Sequence, residues 1–192
     1  MEKPETLDEV LADIKARLAL GAGDRKTMFH TPAIVTADVD ARVMVLRDFD
    51  PDAMRCRFHT DLRSPKVAAV EADPRVAMLA YDKPSKLQLR ARGRARIVRD
   101  GDLVDAAWAG STNFAKRCYL GDAPSDVSRV PTSGLPEQFE GVEPDDEQLV
   151  PARENFGLLL IDLDEVDWFT LAHDGHRRAI WRREGEMEWL AP

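Results

Sequence analysis

Apolar residues along the first part of the chain recur at helical spacing. Leu7, Val10, Leu11, Ile14 and Leu18 form one stripe of an amphipathic helix over residues 6–20. Thr6 and Glu9 make a capping box at its start, and "GAGDR" marks its end. From "TPAIVTAD" onward the period becomes strand-like. "ARVMVLRDF", "MRCRFHT", "RVAMLAY" and "LQLRARGRARIV" are short β-rich runs separated by turn signals such as "DFDPD" and "DKPS". "SPKVAAVEADP", between the second and third of these, reads as a short helix, and residues 101–120 read as helical again. Residues 121–151 hold five prolines, many acids and little periodicity; a loop of that length is usually functional or wraps over a neighbour. Three strand candidates follow, "FGLLLIDL", "VDWFTL" and "RRAIWRR", with "MEWL" at the end. About seven short strands and few helices predict a mainly β, α+β chain: a β-barrel or sandwich with appended helices. With no repeat and no linker, residues 1–192 read as one domain.

Composition narrows the function. The chain is 44% hydrophobic and 32% charged, the balance of a soluble protein with a core. No apolar run approaches a membrane span, and the charges spread through "MEKPETLDEVLADIKARLAL" argue against a secretory signal, so a cytoplasmic location is expected. Cys56 and Cys118 lie far apart without CxxC spacing and read as buried or idle thiols. The net charge of −8 argues against a general nucleic-acid binder. Residues 41–100 nevertheless carry 14 basic and 8 acidic residues. A basic middle in an acidic chain suits a small local anion better than a long polyanion.

Three stretches hold candidate chemistry. In "HTDLRSPKVAAV" Ser64 suits a helix N-cap and Pro65 the first helical position, so free backbone amides point at whatever precedes them. Arg63, Lys66 and Thr60 flank that spot. This is either a phosphate site or a capped surface helix with solvated charges. "RVMVLR" is an apolar strand with Arg42 and Arg47 at its ends; these arginines either take a ligand or reach solvent from an edge. In "LQLRARGRAR", Gln88, Arg90, Arg92, Arg94 and Arg96 share one face, with small and apolar residues on the other. That arginine face reads as a solvated or interface surface paired with acids. His173 and His176 beside Asp174 make only a weak metal signal, and no nucleophile elbow, P-loop or complete GxGxxG occurs, so no metal is expected.

Taken in register, "RVMVLR", "FHTDLRSPK", "DPRVAM", "LQLRARGRARI" and "RRAIWRREGEMEWLAP" resemble the pyridoxamine 5′-phosphate oxidase family, in particular its FMN-binding, oxidase-related branch. The resemblance covers residues 28–98 well and 153–192 moderately. It implies a split β-barrel that forms a homodimer, with FMN in clefts at the subunit interface. It implies further that Arg42, Val43, Met44 and Val45 run along the flavin, Arg42 reaching its phosphate. His59 and Thr60 would border the cofactor, Ser64 and Lys66 would grip the phosphate, and Gln88 would hydrogen-bond the ring. Trp168 and Arg178, ten residues apart, match a pair that reaches FMN from the second subunit.

The chain departs from the family at four places. Pro65-Lys66 stands where an Arg-Lys pair is usual, which leaves Arg63 as the candidate replacement cation. Residues 107–117, "AWAGSTNFAKR", do not reproduce the tyrosine–arginine–serine trio that holds the substrate phosphate in true oxidases. Asp174-Gly175-His176 replaces Arg-x-His, and Arg47 replaces a lysine near the substrate. Arg47 and His176 are therefore the substrate-side candidates for an unidentified small molecule. Two readings stand: an FMN-dependent oxidoreductase, or a flavin-binding module without turnover. Nucleic-acid binding through the arginine strand is disfavoured by charge and by the lack of interleaved aromatics.

Overall fold

A computed structural model describes residues 4–172 and 175–192 of the chain; His173 and Asp174 lie outside the described residues. The first helix, α1 (Leu7–Gly23), has the expected capping box: Glu9 N–H donates to Thr6 Oγ1 at 3.2 Å, and Thr6 N–H donates to the Glu9 carboxylate at 3.1 Å. The helix continues through "GAG" to Gly23 because Gly21 packs on the Phe29 backbone, where a Cβ would lie 2.6 Å from the Phe29 oxygen. Val10, Ile14 and Leu18 are fully buried and plug the interior of the sheet.

Among the described residues, nine strands form one antiparallel sheet. They are β1 (Ala33–Thr36), β2 (Ala41–Val43), β3 (Leu46–Asp50), β4 (Arg55–Asp61), β5 (Arg75–Asp82), β6 (Leu87–Val98), β7 (Phe156–Thr170), β8 (Arg177–Arg182) and β9 (Glu188–Leu190). The order across the sheet is β2-β1-β5-β6-β7-β4-β3, with β8 paired to the far half of β7 and β9 paired to β8. Thus β2 and β3 occupy opposite ends of this path, yet only Met44 and Val45 separate them. The sheet must curl until its ends meet, which makes a barrel split at those two residues. The expected single strand over "RVMVLR" is accordingly two strands with a break. Helices α2 (Pro65–Ala72), α3 (Asp102–Ala109) and the single turn α4 (Asn113–Lys116) lie outside the sheet. No described helix is long and apolar enough to cross a membrane.

The two late apolar runs expected as separate strands are one 15-residue strand, β7. Its first half is buried on both faces. Leu159, Ile161 and Leu163 face the barrel interior with Phe58, Leu46 and Ile34, whereas Phe156, Leu158 and Leu160 pack outward against Val104, Tyr119 and Leu149. That is why "FGLLLIDL" shows no alternation. Between Arg92 and Gly93 the β6–β7 register shifts, with Asp164 as the extra residue on β7. The bulge exchanges odd for even: beyond it, Val166 and Trp168 face inward, and Glu165, Asp167 and Phe169 face outward. Gly93 allows this, because a Cβ there would lie 2.1 Å from the Asp162 carbonyl oxygen.

The arginine face of β6 meets acids across the strand, as the sequence suggested. Arg90 pairs with Asp167, Arg92 with Glu165 at 3.7 Å and Arg96 with Asp162 at 3.9 Å. Burial alone would raise the Asp167 carboxyl, but Arg178 and Arg90 hold it below the usual carboxylate range. Both cysteines are free; burial pushes the Cys56 thiol well up.

Candidate functional site

Where the sheet ends meet, a cleft of about 470 Å³ opens, a size that suits a small-molecule ligand. Arg42, Val43, Met44 and Val45 form one wall, and His59, Ser64 and Lys66 another. Met44 sends its side chain into the core, so it meets the cleft mainly through its backbone, while Val43 is 66% exposed. Ser64 and Pro65 start α2 at this cleft, so the positive end of the helix dipole faces it.

The cations here are arranged by hydroxyl groups. Ser64 holds the N-cap position, but its hydroxyl makes no capping bond; it accepts from Lys66 Nζ at 2.6 Å, and Thr60 Oγ1 accepts from the same ammonium at 3.4 Å. Thr60 is itself buried, on the inward face of β4. Burial, followed by the nearby charge of Arg42, holds the Lys66 ammonium below its usual pKa. Arg42 donates to Thr36 Oγ1 at 2.9 Å and pairs with Asp40 at the rim. Two cations beside a helix N-terminus are groups that could hold a small anion.

Arg63 is placed differently. Its guanidinium grips Asp61 through Nε at 3.1 Å and Nη2 at 2.7 Å, and donates from Nη1 to the Gly121 carbonyl at 2.9 Å. It anchors the start of the long 121–151 segment and is not in the cleft lining. That segment reaches the cleft through Ser125, and Tyr119 lies just before it; both line the site and neither was legible in the sequence. Desolvation raises the Tyr119 phenol well above its ordinary value, and its ring packs edge-on to Phe156 at 5.1 Å.

His59 and Arg47 stand at the far end of the cleft, shared with a neighbouring cavity. Burial, with Arg47 and Arg57 adding like charge, lowers the His59 imidazole from 6.5 to about 4. His59 is therefore neutral at pH 7. The unfolded chain binds this proton near 6.5 and the folded chain only near 4, so stability is lost as pH falls through that window. Urea midpoints between pH 7 and pH 4 are expected to fall less steeply in His59→Gln than in the parent; equal slopes would refute the placement of His59.

The remaining expected site residues stand elsewhere in the protomer. Cross-strand pairing sets Tyr81, Gln88, Phe169 and Arg178 side by side on the outer face of β5 to β8. The Arg178 guanidinium lies 5.9 Å from the Phe169 ring centre and is bonded to Asp167, and the exposed His176 packs edge-on to Phe169 at 5.7 Å. Trp168 does not belong to this row. It is 1% exposed, and its indole N–H donates to Asp13 of α1 at 2.8 Å. Buried from every side, it has no surface for a cofactor; after the bulge, Phe169 is the aromatic residue opposite Arg178. The structure thus gathers Arg42, Val43, Met44, Val45, Arg47, His59, Ser64 and Lys66 at one cleft. It leaves Gln88, Arg178 and His176 on a separate outer face. Among the described residues no cluster of three histidine, cysteine or acidic side chains could hold a metal.

Comparison with known proteins bears on the family and the fold. Residues 30–131 match the family model described as pyridoxamine 5′-phosphate oxidase. Among solved structures, the chain is similar over its full length to a pyridoxamine 5′-phosphate oxidase-related, FMN-binding protein of Nostoc punctiforme. The identity is 22%, the TM-score 0.71, and all of both chains is covered. PhzG of Burkholderia lata, solved with tetrahydrophenazine-1-carboxylic acid, is 18% identical with a TM-score of 0.69, covering all of this chain and 95% of that one. A Clostridium acetobutylicum protein related to general stress protein 26 is 9% identical with a TM-score of 0.57, covering 93% and 98%. These likenesses show the fold, a curled antiparallel split barrel. No curated protein matches the sequence.

Proposed function

The chain belongs to the pyridoxamine 5′-phosphate oxidase family, and from that premise we propose that it is an FMN-dependent oxidoreductase acting on a small molecule, homodimeric and cytoplasmic. The observation that carries the reading is the Lys66–Ser64–Arg42 cluster at the start of α2, at one end of a cleft of about 470 Å³. These residues fit a terminal phosphate: the Lys66 ammonium is desolvated and held by hydroxyls, so a phosphoryl group reaches it without displacing a carboxylate, while Arg42 shares its charge with Asp40 at the rim.

On this reading Lys66, Ser64 and Arg42 hold the phosphate, and the stretch from Val43 to Val45 lies along the flavin. FMN, when bound, supplies the hydride acceptor. His59 borders the ring neutral and adds no charge beside it. Gln88, Phe169 and Arg178 do not line this cleft, so their role requires a second copy whose outer face covers it. Arg47 and His176 remain the substrate-side candidates. The arginines of β6 serve as an ion-paired surface, which leaves no clear nucleic-acid footprint.

One observation favours the second reading, a flavin module without turnover. Both cations of residues 107–117 are engaged by rings of the same stretch: Lys116 stacks over Trp108 at 5.1 Å, and Arg117 lies over Phe114 at 3.8 Å. The test begins with the purified protein. It is expected to be yellow with flavin bands, to carry one FMN per chain and to elute as a dimer; a colourless protein that takes up no added FMN refutes both readings. Flavin bleaching by a substrate, with peroxide released on re-oxidation, then separates enzyme from module.

A further inference from the structure

A larger cavity, of about 820 Å³, opens between α3–α4 and residues 143–153 and shares no lining residue with the flavin cleft. Its floor is apolar and cationic. Leu149 is 2% exposed and Lys116 8%, so a lysine ammonium is carried into the small second core beside Trp108. Among the described residues no carboxylate pairs with that ammonium. Its Nζ donates to Asn113 Oδ1 at 3.2 Å and lies 5.1 Å from the centre of the Trp108 ring. An ammonium has three N–H groups, and one oxygen and one ring face occupy two of them. The cavity also holds two carboxylates paired with no cation. Glu143 accepts from the Phe114 N–H at 3.0 Å and Asp146 from Asn113 Nδ2 at 2.9 Å, both at the exposed mouth. Arg153, the other cation in the wall, is held by Asp105 at 2.6 Å.

A buried charge without a counter-ion is costly. Asn113 sets the pattern for relieving it: one amide, its oxygen toward Lys116 and its nitrogen toward Asp146, spans both charges and neutralises neither. The carboxylate oxygen and ammonium nitrogen of an α-amino acid lie one bond further apart than the oxygen and nitrogen of an amide, and each group carries a full charge. A plain carboxylate would satisfy Lys116 but meet Glu143 and Asp146 at the mouth; a plain amine would do the reverse. Leu149 and Val150 supply an apolar wall for a side chain, and the volume leaves room for one as large as an aromatic ring.

We propose that this cavity binds the α-aminocarboxylate head of an apolar amino acid, with its carboxylate on Lys116 and its ammonium between Glu143 and Asp146. The site does not rest on the flavin reading above.

Calorimetric titration of the purified protein with L-phenylalanine, 3-phenylpropanoate and 2-phenylethylamine tests this, because the last two each lack one charge of the first. L-Phenylalanine is expected to bind, and each analogue to bind at least tenfold more weakly. Lys116→Met is expected to weaken L-phenylalanine binding at least tenfold and Glu143→Gln about threefold. Glu143 is exposed, so its variant reports even where Lys116→Met fails to fold, which the thermal midpoint shows. No binding of L-phenylalanine overturns the proposal. So does either analogue binding as tightly as L-phenylalanine, which leaves a site for a single charge. Loss of binding in Lys66→Gln with none in Lys116→Met places the ligand in the flavin cleft and overturns it too. FMN titrations alongside keep the readings apart: a protein that takes L-phenylalanine but no FMN keeps this site and loses the flavin assignment, and one that takes FMN alone does the opposite.

Discussion

Lys66→Ala is expected to weaken FMN binding by about a hundredfold, roughly 2.7 kcal/mol, with little effect on folding. Lys66 is the one cleft cation held only by hydroxyls. Its removal costs the Ser64 hydroxyl one donor while Thr60 keeps its bond to the Asp61 carbonyl at 3.3 Å, which the folded chain tolerates, but strips the phosphate of its closest charge. The loss is expected to shrink in high salt, because part of it is Coulombic. Arg63→Ala is the informative contrast. Its guanidinium is spent on Asp61 and Gly121, so FMN affinity should change less than threefold while thermal stability falls, since the 121–151 segment loses its anchor. Fluorescence titration of FMN against both variants decides the matter; equal losses would place the phosphate between Lys66 and Arg63 and displace the cleft described above.

Gly93→Ala is expected to be the most damaging small substitution in the sheet, costing about 3 kcal/mol or preventing folding. The added methyl would meet the Asp162 carbonyl oxygen at 2.1 Å and the Leu163 Cα at 3.0 Å, and both belong to backbone already fixed by neighbouring strands. Leu163 N–H donates to Met54 at 2.9 Å, and Arg183 Nε donates to the Leu163 carbonyl at 3.0 Å, so β7 has little room to retreat. Gly23→Ala is the control. It sits at the last position of α1 with nothing within 4 Å of the new methyl, and is expected to be neutral or stabilising by about 0.5 kcal/mol. Urea denaturation of the two variants measures the difference; a Gly93→Ala protein as stable as the parent would show that the bulge is not where the register shift puts it.

Local pattern announced much of this fold. Helix α1 with its capping box, the alternation of β6 and the Ser64-Pro65 start of α2 are short-range signals, and each is found where the residues predict it. The failures come from long-range geometry. "RVMVLR" has the chemistry of one strand, and only the closing of the sheet breaks it at Met44 and Val45. Trp168 and Phe169 cannot be told apart by spacing, because the bulge that decides which faces outward depends on how β7 meets Gly93. Residues 101–155 carry weak periodicity because their side chains answer to a small separate core around Tyr119 and Phe156. Tyr119 and Ser125 reach the cleft for the same reason.

The place of β7 in the sheet also bears on how the protein is born. β4 and β6 are not bonded to each other; each is zipped to β7 instead, so β3-β4 and β2-β1-β5-β6 meet only through a strand that begins at Phe156. While a ribosome is still translating the proline-rich stretch, both pieces present raw, unzipped borders, a template for pairing with other chains. Nascent chains halted before Phe156 should therefore aggregate or engage chaperones, and release from that state should come abruptly once β7 clears the exit tunnel.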